Sequence, residues 1–178
     1  NLFYCDNIIF DGLVMTGNTS EYLTSSHNVF SSFRSHNLTF INSEIYNNDI
    51  PGVELEFYPF EEYQYHKIIN SKVERLLFGH YEAVGDLLIE NSTISYLYSN
   101  MPLSNKYISN SIIESSNFTD FESDEGLIEI NYSNIAEMNH PELLLSGVGN
   151  IQEDPLFTDS DSFDFSLQST SPCIDAGN

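Results

Sequence analysis

The chain has 178 residues, length for one domain, and 40% hydrophobic with 13% aromatic residues supply a core, which excludes a disordered chain. Five Lys plus Arg against 27 Asp plus Glu leave a formal charge of −22; nucleic acid and anionic membrane are excluded as favoured partners, because phosphate binding draws on Lys and Arg. No run approaches the roughly 20 apolar residues of a membrane span, and Asn1 to Asp6 lacks a signal-peptide pattern, so the chain reads as a mature or excised piece.

In chain order the predicted elements are short strands that repeat. They are Ile8–Gly12, Leu38–Asn42, His66–Asn70, Leu87–Asn91, Lys106–Asn110 and Ile128–Tyr132. The third position is always apolar: Phe10, Phe40, Ile68, Ile89, Ile108, Ile130. Three residues past each segment a second apolar column recurs: Met15, Ile45, Val73, Ile94, Ile113, Ile135. Period-two alternation within the segments predicts strands with one face inward, and the fixed repeat predicts a solenoid.

The fifth position carries Gly12, Asn42, Asn70, Asn91, Asn110 and Tyr132, where Asn suits a left-handed corner and its amide can ladder onto its copy in the next coil. Successive corners stand 30, 28, 21, 19 and 22 residues apart. A bare coil is thus about 20 residues, and the longer intervals predict outward insertions over about 18–34 and 47–65. The second insertion holds an alternating strand, Gly52 to Phe57, and an aromatic-acidic run from Tyr58 to Tyr65. Short helical turns are expected between Glu137 and Leu144. Cys5 and Cys173 fall about seven coils apart, some 30 Å at about 4.8 Å per coil, which excludes an intrachain disulfide.

The last stretch reads Asp154-Pro155-Leu156-Phe157, then Asp164-Phe165-Ser166-Leu167, then Ser171-Pro172-Cys173-Ile174-Asp175-Ala176-Gly177. It resembles the closing segment of the pectate-lyase-like right-handed β-helix superfamily, with Cys173 in place of the usual Ala. That resemblance, carried through the coils, implies an all-β right-handed parallel β-helix of roughly seven to eight coils, coils over 1–147 and a C-terminal cap over 148–178. Leu156, Phe157, Phe165 and Leu167 are expected to cover the open last coil, with Asp175 bonding terminal amides. An extracellular or cell-surface location follows from the same resemblance.

Relatives that act on polysaccharides use the outward face of one sheet. Here that face is predicted to carry Ile9, Thr39, Lys67, Leu88, Tyr107 and Glu129 in one row, and Asp11, Ile41, Ile69, Glu90, Ser109 and Asn131 in the next. The leading expectation is a non-catalytic module or stiff spacer of a larger secreted protein, engaging polysaccharide or cell-surface glycan through Tyr58, Tyr63, Tyr65 and Tyr107. A lyase or hydrolase is the alternative, with Lys67, Glu90 and Glu129 as candidate catalytic groups. A structural or adhesive protein stacking end to end through its first coil is a third. Asp120, Glu122, Asp124 and Asp159, Asp161, Asp164 form candidate oxygen-ligand sets for Ca²⁺, without EF-hand spacing; solvent-facing loop carboxylates are the plainer account.

Overall fold

The computed structural model describes residues 2–3, 5–17, 30–33, 35–46, 48, 55–58, 63–79, 85–100, 104–119 and 126–177. β-Branched and aromatic residues in period two give short parallel strands. In chain order these are β1 (Leu2–Phe3), β2 (Ile9–Asp11), β3 (Val14–Thr16), β4 (Phe30–Phe33), β5 (Thr39–Ile41), β6 (Glu44–Tyr46) and β7 (Leu55–Tyr58). There follow β8 (Gln64–Ile69), β9 (Lys72–Phe78), β10 (Gly85–Glu90), β11 (Thr93–Ser99), β12 (Lys106–Ser109), β13 (Ile112–Phe118), β14 (Ile128–Asn131) and β15 (Asn134–Met138). Helix α1 (Glu142–Ser146) and an antiparallel hairpin, β16 (Phe157–Asp159) with β17 (Asp164–Leu167), complete the chain.

Two parallel sheets face each other as a β solenoid. The smaller has six strands in the order β14-β12-β10-β8-β5-β2, and the larger nine, running β1-β4-β7-β9-β11-β13-β15 with β3 and β6 joining at β9. Both apolar columns stack inward as expected: Phe40, Ile68, Ile89, Ile108 and Ile130, with Ile45, Val73, Ile94, Ile113 and Ile135, are at most 2% exposed. Burying each such side chain stabilises by roughly 1.5–3 kcal/mol.

The larger sheet bends, and the bend is written in its alternation. In β9, Val73 and Leu76 both point inward while Glu74 and Arg75 between them face out. β11 and β13 repeat the double outward step, so one strand turns a corner and serves two sides of the coil. In earlier coils separate strands do this: β6 continues into the first half of β9 and β7 into the second. Strands also lie within both expected insertions. Phe30–Phe33 and Leu55–Tyr58 are strands β4 and β7 of the sheet, because longer connections there separate two sides that later coils join directly. Residues 18–29 and 34 of the first, and 47, 49–54 and 59–62 of the second, which include the start of the expected Gly52 to Phe57 strand and part of the aromatic-acidic run, lie outside the described residues.

The corner is left-handed in every coil: φ is 69° at Gly12, 51° at Asn42, 48° at Asn70, 50° at Asn91, 48° at Asn110 and 51° at Tyr132. Asn70 donates its side-chain amide to Asn42, and Asn42 in turn to Asp11 at 2.9 Å, all at the exposed surface. The buried ladder stands one residue further on. Ser43, Ser71, Ser92 and Ser111 each donate a backbone N–H to the hydroxyl of the next serine, at 3.0 to 3.2 Å, ending on Ser133. Each hydroxyl donates to the carbonyl two residues back, at 2.7 to 2.9 Å. Asn150 terminates the row by accepting from the Ser133 N–H at 3.1 Å. Ser92→Ala leaves the buried Ser71 N–H without its acceptor and is expected to cost about 1–3 kcal/mol; urea denaturation checks this, and a loss below about 0.5 kcal/mol refutes it.

At the C-terminal end, α1 packs on β14 with Leu143 and Leu144 buried in the core cluster. The hairpin goes elsewhere. Phe163 stacks on Tyr46 at 5.8 Å and Phe165 meets the same ring edge-on at 6.3 Å. Tyr46 lies in β6, four strands along from β15. Phe165 is thus drawn to an aromatic on the side wall of the stack, rather than over its open end as the sequence suggested. Cys5 and Cys173 are not joined in a disulfide.

Candidate functional site

The outward face of the six-stranded sheet assembles the candidate residues by strand register. Ile9 pairs with Thr39, Thr39 with Lys67, Lys67 with Leu88, Leu88 with Tyr107 and Tyr107 with Glu129. The neighbouring row, Asp11, Ile41, Ile69, Glu90, Ser109 and Asn131, is in register likewise. Both rows match the sequence alignment, since parallel in-register stacking places equivalent residues over one another.

A third row at the entry edge was not anticipated. Tyr65 pairs with Asp86. Asp86 accepts the Asn105 N–H at 3.0 Å, and Asn105 accepts the Leu127 N–H at 3.1 Å, so a second ladder fixes this edge. Tyr63 is exposed, and a hydrogen bond to the Asp86 carboxylate is the main cause that pushes its hydroxyl up to about 12. Burial raises Tyr65 too, and the charges of Asp86, Tyr107 and Glu90 add to it. The Lys67 ammonium sits 4.9 Å from the Tyr65 ring centroid. Beside this pair opens a cleft of about 360 Å³, lined also by Asn7, Ile9, Asn37 and Thr39.

Of the glycan candidates, then, Tyr63 and Tyr65 stand by Asp86 and Tyr107 lies one strand further on, paired with Leu88, whereas Tyr58 belongs to β7 in the other sheet. The catalytic candidates are spread out. Glu90 and Glu129 stand two strands and two residues apart on a diagonal, roughly 12 Å at the backbone, and Glu129 accepts from the Asn131 side chain at 2.8 Å.

Among the described residues no three His, Cys, Asp or Glu are grouped to hold a metal ion. Asp159 accepts from the Ser162 N–H at 3.2 Å and Asp164 from the Ser166 N–H and hydroxyl at 3.0 and 2.6 Å, local turn contacts of the hairpin. Asp161 is exposed. Asp120, Glu122 and Asp124 lie outside the described residues.

Two buried polar side chains were not anticipated either. The apolar column that opens each strand contains His66 and Lys106, 0% and 5% exposed. Lys106 Nζ donates to the Ser104 carbonyl at 3.2 Å, and His66 Nδ1 receives the Leu38 N–H at 3.4 Å. The sequence signal was present, since both occupy positions held elsewhere by Ile8, Leu38, Leu87 and Ile128.

Comparison with protein-family models, with curated proteins and with solved structures found no match.

Proposed function

We propose that this chain is a non-catalytic glycan-binding module of a larger secreted or surface protein, built as a right-handed β-helix of the pectate-lyase-like type. The observation that carries the reading is the strand register that sets Tyr65 beside Asp86 and Tyr107 one strand further on, in line with Lys67 and Leu88, with the exposed Tyr63 next to them and an open cleft alongside. Tyrosine rings present apolar faces for sugar rings and a hydroxyl for hydrogen bonding, and a rigid parallel sheet holds them at fixed spacing. The closing-segment motif and the parallel solenoid together support the family assignment.

Native affinity electrophoresis against neutral and uronate polysaccharides, with and without Ca²⁺, tests this. Retardation with intact polymer is expected, and Tyr63→Ala with Tyr65→Ala abolishes it while the thermal transition is kept. Shortened polymer would establish an enzyme instead. Unchanged retention in the double variant would reject the site.

A second reading has its own observation. Phe10 and Met15 are only half-buried at the first coil, whereas their copies Phe40 and Ile45 are 0% exposed. A further coil, from an upstream segment or another chain, would complete that surface; concentration-dependent sedimentation of the chain would reveal self-stacking.

A further inference from the structure

We infer that the tyrosine face selects glycans carrying free ammonium groups, polymers of unacetylated amino sugars, over neutral and uronate chains; this rests on the glycan reading above. Two independent features point there. One is the charge beside the aromatic rings: Asp86 pairs directly with Tyr65 across β8 and β10, and Glu90 stands further along β10, opposite Ile69. The other is an ammonium group already seated on this surface, Lys67 Nζ at 4.9 Å from the Tyr65 ring. An aromatic face attracts a cation through its quadrupole, and adjacent carboxylates deepen the attraction. A uronate chain meets the reverse, carboxylate against carboxylate, with Lys67 as the one cation in the two aligned rows. A glucosamine unit supplies both a ring face for tyrosine and an ammonium for Asp86, and Glu90, roughly 13 Å further along β10, faces the ammonium of another unit of the same polymer.

The test is calorimetric titration of the whole chain with glucosamine hexamer, its N-acetylated form, a neutral glucan hexamer and a galacturonate hexamer. About 0.15 M salt is used, where screening sets in beyond about 8 Å. Glucosamine hexamer is expected to bind about tenfold more tightly than the acetylated form. Asp86→Asn keeps the acceptor for the Asn105 N–H, so it removes charge without removing the ladder. Together with Glu90→Gln it is expected to abolish the preference. Glu153→Gln with Asp161→Asn, the same charge loss on the C-terminal segment, leaves it intact. Lys67→Gln vacates the Tyr65 ring and raises glucosamine affinity.

Equal loss in both charge pairs would show diffuse attraction of a polycation to an acidic protein and overturn the inference. So would a fall in affinity on Lys67→Gln. Equal or tighter binding of acetylated, neutral or uronate hexamer would overturn the selectivity and leave the glycan reading standing. Binding of none of the four would reject both.

Discussion

Acidification from pH 7 to pH 4 will destabilise the protein by about 3 kcal/mol more than it destabilises His66→Leu or His66→Gln. His66 is 0% exposed in the column that opens the strands, and burial, with the nearby His36 adding to it, lowers its pKa from 6.5 to about 3. The folded chain therefore holds a neutral imidazole where the unfolded chain binds a proton. Between pH 6.5 and 3 the unfolded state binds more protons, so stability rises with pH across that window. The stabilisation is whole above pH 6.5 and is lost as pH falls toward 3, reaching about 4–5 kcal/mol in full. All three proteins carry the same carboxylates, so the difference between urea-unfolding curves isolates the histidine. Parallel pH profiles for wild type and both variants would refute the assignment.

Gly147→Ala is expected to cost roughly 3–5 kcal/mol, far more than Gly12→Ala at roughly 1–2 kcal/mol. The backbone of Gly147, φ −98° and ψ −175°, is extended and open to any residue. Space is what it lacks. A Cβ there would fall 1.7 Å from the Ile130 carbonyl oxygen of β14 and 2.6 Å from Asn150 Nδ2. Asn150 spans the Ile130 and Leu144 carbonyls at 2.6 and 3.0 Å and also ends the serine ladder, so the displaced group is the one that ties α1 to the last coil. Gly12 has a left-handed φ of 69° and nothing within 4 Å of an added Cβ, so its loss is conformational alone. Chemical denaturation of both variants, with hydrogen exchange at the Ile151 amide, measures the contrast. Equal costs at the two sites would show that the end of the solenoid yields to the extra methyl.

What the sequence determined by itself is the repeat and everything that follows from stacking like on like. Alternation of two places Phe40, Ile68 and Ile89 inward and Lys67, Leu88 and Tyr107 outward, and an unbroken parallel register repeats that choice coil after coil. The left-handed corner was legible for the same reason, because Asn and Gly are the residues that tolerate it. The serine ladder was legible too, in the dipeptides Asn42-Ser43, Asn70-Ser71, Asn91-Ser92 and Asn110-Ser111, although the asparagine masked it.

Tertiary structure alone decided the rest. Whether β4 and β7 return to the sheet after a long connection depends on edges offered by other coils, which no local pattern encodes. The path of the last segment is of the same kind: Phe163 and Phe165 find Tyr46 about 120 residues earlier in the chain. The surface that carries Tyr65, Asp86 and Tyr107 likewise joins three successive strands of one sheet. Spacing along the chain reports periodicity, a local property, whereas the surface that meets a ligand is set by which distant segments share a wall.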